Sequence, residues 1–298
     1  MKKQILLLVF CFVFVFVFSG CSERYKRISF ENEDIDEELA KYIDDETEVI
    51  YNGKPDFPSQ LPIYEISKRS ITQDELAQML KKLGLSAYSD RFDHDDNQIV
   101  GNWVPYTDRT RGYFEMSDEE LEKLAWETFR KIPFLNGEYE YCGIESRYTI
   151  SDSEGTHLTR VGVSFRKLVN GLRVLGNDRC YLYFDARGLV EMVIELYDYK
   201  EIGTMDLVKF DDAFARIKSP DSFSVESGDP SIEAITVKQP FEALNTEKVS
   251  IMWFNQHSKG CTVLQPVYCF GGAASGAEVK DAQFTSLVIA IPESYTRN

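Results

Sequence analysis

Few residues in this chain of 298 are of types that could do chemistry together. Histidine occurs only at His94, His157 and His257, which leaves zinc chemistry and histidine-based acid–base catalysis short of groups. The stretch Asp93-His94-Asp95-Asp96-Asn97 has metal-ligand spacing: Asp93, Asp95 and Asn97 stand at the first three ligand positions of an EF-hand loop. Gln98 then stands where that loop needs Gly, and Val104 where it needs the bidentate Glu. A polar hairpin tip is therefore expected between Tyr88–Phe92 and Ile99–Val104, with no metal ion. His157 follows Ser153-Glu154-Gly155 and His257 precedes Ser258-Lys259-Gly260, polar turn-like settings that predict solvated loop histidines. With 49 acidic residues, two neighbouring carboxylates arise by chance, and nothing marks one pair for glycosidase-type work. Gly-x-Ser-x-Gly, Walker, HExxH and GxGxxG motifs do not occur. No catalytic residue, cofactor or metal is expected.

One cysteine does carry chemistry. Lys2 and Lys3 precede an unbroken apolar run, Ile5 to Phe18, and then Ser19-Gly20-Cys21. That order is a basic region, an apolar region and a small-residue cleavage site. The run is shorter than the ~20 residues of a comfortable membrane-spanning helix. The end of the segment resembles the lipobox of bacterial lipoproteins, with Phe18 where Leu is usual. The resemblance implies a signal peptide over 1–20 and lipidation at Cys21, hence a membrane anchor facing the extracytoplasmic side. Cys11 would leave with the signal. Cys142, Cys180, Cys261 and Cys269 would remain, an even number outside the cytoplasm, which permits disulfides in three connectivities. No CxxC occurs, so neither a zinc ribbon nor a thioredoxin-type site is indicated.

The formal charge of −16 repels phosphate backbones and argues against nucleic-acid binding. Acids crowd the stretch after Cys21, including Glu31, Glu33, Asp34, Asp36, Glu37 and Glu38. Apolar residues are sparse there, so residues 21–55 read as a solvated acidic tether.

Elements able to position a site begin beyond it. Ile71-Thr72-Gln73-Asp74-Glu75-Leu76 reads as a helix opening, with Thr72 as cap, Glu75 closing the box and Ile71 stapling to Leu76. Leu76, Met79, Leu80 and Leu83 form one face, and Gly84 stops the helix. The same grammar recurs at Met116-Ser117-Asp118-Glu119-Glu120-Leu121. A weaker copy, Val208 to Ala213, has Lys209 where a cap belongs. Strands follow. Val161, Val163 and Phe165 alternate before the hairpin signal Asn170-Gly171, and Tyr181–Phe184 turns at Asp185-Ala186-Arg187-Gly188 into Leu189–Tyr197. Pro266 within a strand-like run suggests an edge or a bulge. Most aromatics in these runs should be core, but alternation leaves one set on the opposite sheet face, where it could serve protein docking.

Val163-Ser164-Phe165, Asn170-Gly171-Leu172-Arg173-Val174, Tyr181–Asp185 and Gly188-Leu189-Val190 together resemble the FTP/PepSY group. Leu264-Gln265-Pro266-Val267-Tyr268-Cys269-Phe270 resembles a strand of the YycH/YycI-like extracytoplasmic regulators. The resemblance implies an α+β fold of tandem cystatin-like or PepSY-like modules, each a helix packed on an antiparallel sheet. They would occupy 56–115, 116–206 and 207–298. It also implies a lipid-anchored regulatory or interaction protein without enzymatic activity. Its partner would be a protein of the cell envelope, such as a membrane sensor or a secreted peptidase. The competing expectation is an envelope hydrolase, or an accessory, acting on wall or polysaccharide material.

Overall fold

The computed structural model describes residues 25–26, 41–53, 55–95, 97–103, 113–153, 155–227, 239–257, 260–276, 282–292 and 296–297. The apolar run of the signal, Cys11, Cys21, the acidic residues 31–38 and Asp96 lie outside them. Among the described residues no helix is long and apolar enough to cross a membrane.

The strands in chain order are β1 (Tyr25–Lys26), β2 (Glu48–Ile50), β3 (Gln60–Lys68), β4 (Phe92–Asp95) and β5 (Gln98–Asn102). The long pair β6 (Glu138–Asp152) and β7 (Gly155–Val169) follows, then β8 (Leu172–Gly176), β9 (Arg179–Asp185), β10 (Gly188–Glu195) and β11 (Tyr197–Asp206). The last are β12 (Ser222–Ser227), β13 (Ala243–Asn255), β14 (Gln265–Ser275), β15 (Ala282–Ile289) and β16 (Thr296–Arg297). Three α-helices lie among the described residues: α1 (Gln73–Leu83), α2 (Asp118–Phe129) and the six-residue α3 (Phe210–Ala215).

Both capping boxes form. Thr72 Oγ1 accepts from Glu75 N at 3.2 Å while Glu75 Oε2 accepts from Thr72 N at 2.8 Å, and Ser117 and Glu120 repeat the exchange. Gly84 ends α1 in the left-handed region. Lys209 makes no capping bond and α3 is correspondingly short. Thr72→Ala is expected to lower stability by about 1 kcal/mol, read as a fall in urea midpoint at unchanged slope.

The expectation of tandem modules, each with its own antiparallel sheet, is overturned. One mixed sheet of twelve strands runs through the molecule in the order β12-β15-β14-β13-β8-β7-β9-β10-β5-β4, with β2 beside β13 and β6 beside β7. The splice is β8. It leaves the Asn170-Gly171 turn antiparallel to β7, and its other edge accepts Trp253, Phe254 and Asn255 of β13 in parallel register with Val174, Leu175 and Gly176. Asn170 and Gly171 both have positive φ, 51° and 72°, as that tight hairpin demands. A five-residue strand with both edges used leaves no boundary between sheets.

α1 and α2 bury Leu76, Met79, Leu80, Leu121, Ala125 and Phe129 in one core with Val163, Phe165, Leu182, Phe184, Met192 and Ile194. The other half of the sheet is covered by the antiparallel pair β3/β11 and by α3, around Tyr64, Trp253, Tyr268, Phe270 and Phe284. Residues 41–51, which the sequence pattern assigns to the end of the tether, pack on this half. Ile43 is buried, Thr47 Oγ1 donates to Phe241 O at 2.9 Å, and β2 runs parallel to Ala243–Asn245. Pro266 is at no edge. It sits one residue into β14, between β13 and β15, where its carbonyl accepts from Ala290 N. Cys142, Cys180, Cys261 and Cys269 carry thiols, with no disulfide among them. Burial pushes the Cys142, Cys180 and Cys269 thiols up, which suppresses thiolate chemistry.

Candidate interaction surface

Strand alternation assigns each residue of β5, β10, β9 and β7 to one of two faces. Ile99, Met192, Ile194, Leu182, Phe184, Val161, Val163 and Phe165 point to the core under α1 and α2. Their neighbours therefore build the opposite face, and the registers arrange them in rows. Val100 pairs with Val193, Val193 with Tyr181, and Tyr181 with Ser164. One row over, Asn102 pairs with Glu191, Glu191 with Tyr183, and Tyr183 with Gly162. Val100, Val193, Tyr181, Tyr183 and Glu191 are all half-buried, and Tyr148 at the margin is 45% exposed. The face is open.

Its polar groups are held in place by one another. The Arg160 guanidinium lies between two tyrosine rings, 4.9 Å from Tyr148 and 4.4 Å from Tyr183, and 2.8 Å from Glu191 Oε2. Glu191 Oε2 also accepts from Asn102 Nδ2 at 2.7 Å. Burial, with Tyr148 and Glu191 beside it, pushes the Tyr183 hydroxyl above the usual phenol range, so it stays a neutral donor. Arg166 donates to the Tyr181 hydroxyl at 2.8 Å, and Ser164 Oγ donates to Glu145 Oε1 at 2.6 Å. Arg173 grips Glu140 with two contacts at 2.8 and 3.0 Å. Gly162 makes the packing possible: a Cβ there would lie 2.5 Å from the Tyr183 ring and 2.3 Å from Ser146 Oγ. Tyrosine and arginine side chains fixed by one another on a half-exposed sheet face have the composition of a protein-binding hot spot.

The residues singled out for chemistry do not converge. Asp93, His94 and Asp95 stand on β4 itself and Asn97 in the turn to β5, so the expected hairpin forms, but its first strand begins only at Phe92 because Ser86–Arg91 is a 3-10 helix. His94 Nε2 lies 2.6 Å from Ile71 O and Nδ1 lies 3.3 Å from Gln73 Nε2, which ties the hairpin to the start of α1. Asn97 Nδ2 donates to Leu196 O at 3.0 Å. His157 is no solvated loop residue: it stands on β7, half-buried and stacked on Tyr113 at 4.0 Å, and His257, also half-buried, lies against Tyr197. No group of three or more metal-ligating side chains occurs among the described residues.

One polar cluster has no signal in the sequence. Asp178, in the turn after β8, is 1% exposed, and its Oδ2 accepts from the Tyr199 hydroxyl at 2.7 Å. That hydroxyl accepts from Asn255 Nδ2 at 3.0 Å, so the chain of bonds links β13, β11 and the β8–β9 turn across the splice. Burial pushes the Asp178 carboxyl up to about 6, against the pull of the Lys167 ammonium and the Tyr199 hydroxyl. Gly176-Asn177-Asp178 reads in sequence only as a turn, and nothing local signals that β11 and β13 will cover it.

No protein-family profile and no curated protein matches the chain. Among solved structures it is similar to the crystal structure of YycH from Bacillus subtilis, at 10% identity and a TM-score of 0.41. The alignment covers 77% of this chain and 51% of that one, so this chain spans about half the length of its structural neighbour.

Proposed function

We propose that this protein is an extracytoplasmic regulatory module, lipid-anchored through Cys21, that acts by binding another protein of the cell envelope. The observation that carries this reading is the open Val100–Val193–Tyr181–Tyr183 face with its interlocked arginines. Tyrosine and arginine give large contact area at low entropic cost, and side chains already fixed by Glu191 and Glu145 lose little further freedom on docking. A two-chain lipid on Cys21 would hold the body at the membrane where a single acyl chain binds only marginally. A membrane sensor or a secreted peptidase is the class of partner within reach.

The test is photocrosslinking in the native envelope, with a benzophenone amino acid replacing Tyr181 or Val193, and Glu201 on the exposed side of β11 as the control position. One discrete adduct from the two face positions and none from position 201 is the expected result. Tyr183→Ala with Arg166→Ala should lower adduct yield about tenfold or more. Equal labelling from all three positions, or none from the face, would remove the proposal.

A further inference from the structure

On the side of the sheet that carries the helices, a groove of about 700 Å³ runs between two walls. One wall is the end of α1 with the turn that follows it, Leu83 to Arg91; the other is α2, through Leu124, Thr128 and Lys131. Leu85, Trp103, Leu124 and Leu189 supply its apolar lining. The volume is that of a site for several side chains. Among the described residues every charged side chain in the lining is a cation: Arg91, Lys131 and Arg187. In a chain of formal charge −16 that local reversal of sign is a specific feature.

The three cations are not equivalent. Asp185 grips Arg187 with both carboxylate oxygens, which fixes the guanidinium and neutralises most of its field. Arg91 is 3.9 Å from Asp90 with both side chains largely exposed, a weak pair. Lys131 is exposed on the opposite wall, where its ammonium is free to turn towards an incoming anion. Arg91 and Lys131 therefore carry the available positive charge, one from each side of the groove.

Backbone accounting decides the conformation of an occupant. The walls are helical turns whose amides bond within the chain. At the floor Trp103 N donates to Val190 O at 3.4 Å and Trp103 Nε1 to Leu189 O at 3.1 Å, so those carbonyls are already used. Among the described residues the strand edge on the groove is Gly188–Val190 of β10, beyond the end of β5, and with the Leu189 and Val190 carbonyls taken it is too short to receive an extended peptide, so an occupant must satisfy its own amides. A helix does so.

We propose that this groove seats an amphipathic helix of a partner protein, with apolar side chains on the Trp103–Leu189 floor and acidic side chains between Arg91 and Lys131. This contact is independent of the open sheet face, and its test uses no envelope partner. The probes are two capped, fluorescent peptides of about 16 residues, long enough to be helical, with leucines at i, i+3, i+4 and i+7 and either glutamate or lysine elsewhere. Each is titrated against the full chain in phosphatidylcholine nanodiscs and followed by anisotropy. The protein's overall charge favours the lysine peptide, so tighter binding of the glutamate peptide isolates the groove. A preference of about tenfold for glutamate is expected, to be reversed by Arg91→Glu with Lys131→Glu, both exposed positions. A lysine preference in the parent protein, or no response to the double reversal, would overturn the proposal. Displacement of the glutamate peptide by phosphatidylglycerol vesicles, but not by phosphatidylcholine ones, would assign the cations to a lipid surface and overturn it equally.

Discussion

Gly176→Ala should unfold the protein at markedly lower denaturant, a loss of about 3 kcal/mol or more. Gly176 has a φ of 89°, in the region that L side chains avoid. A Cβ there would lie 2.1 Å from Asn255 O, with the carbonyl carbon at 3.1 Å. Those are backbone atoms of the partner strand, so no rotamer change relieves the overlap. Relief requires β8 and β13 to part at the position where Gly176 pairs with Asn255 and Asn177 N donates to Asn255 O at 3.0 Å. Gly84→Ala is the internal control. Its φ of 73° is also positive, but nothing lies within 4 Å of its added methyl, so only the conformational cost of about 1 kcal/mol applies. Equal losses at the two sites would show that Asn255 yields and that the splice is soft.

Asp178→Asn is expected to stabilise the protein at pH 7.5, and its advantage should vanish in acid. The folded-state carboxyl titrates at about 6 and the unfolded one at about 3.9, so the folded state holds its proton more tightly. Below about pH 4 both states are protonated and burial brings no penalty from charge. As pH rises towards 6 the unfolded chain ionises first and stability falls; above 6 the full penalty of a buried carboxylate remains. The gap between those two midpoints corresponds to about 3 kcal/mol. That figure is an upper bound for the gain, because asparagine gives up the attraction of Lys167 and brings an amide that needs a partner. Asparagine can still accept from Tyr199. The groups facing Asp178 include Lys167 on β7, Glu195 on β10, Tyr197 and Tyr199 on β11, Tyr139 on β6 and Cys180 on β9. The readout is the difference in unfolding free energy between parent and variant, compared across mildly acid, near-neutral and slightly alkaline buffers. Glu75 and Glu120, held low by their capping bonds, act in the opposite sense and cancel in that difference. A variant less stable at pH 7.5 would mean that the Lys167 attraction outweighs burial.

The two predictions meet at the feature that sequence patterning conceals. Capping boxes, the Asn170-Gly171 hairpin and the Asp185–Gly188 turn are local, encoded within a few residues of where they act, and all form. The parallel pairing of Val174–Gly176 with Trp253–Asn255 is carried by no local signal: alternation specifies that a strand has two faces, never which distant strand takes its edge. A helix–meander pattern therefore suggests separate modules where the chain builds one sheet. The interaction face is half legible for the same reason. Alternation separates Tyr181 and Tyr183 from Leu182 and Phe184, but only the position of α1 and α2 decides which set meets water. Asp178 is illegible because its burial is wholly tertiary.

The long hairpin of β6 and β7 has a consequence of its own. Among the described residues β6 pairs only with β7, so fifteen residues present an outer margin of amide and carbonyl groups. A straight margin of that length would template a second molecule, and repetition would grow a fibre. Register shifts at Tyr141/Gly143, Ile144/Ser146 and Tyr148/Thr149 break it into short, differently angled pieces, none long enough to hold an incoming chain. Resistance to polymerisation is thus written into three irregularities of one hairpin, extra residues at Cys142 and Glu145 on β6 and at Thr159 on β7, and straightening them by deletion should make the protein sediment as fibres.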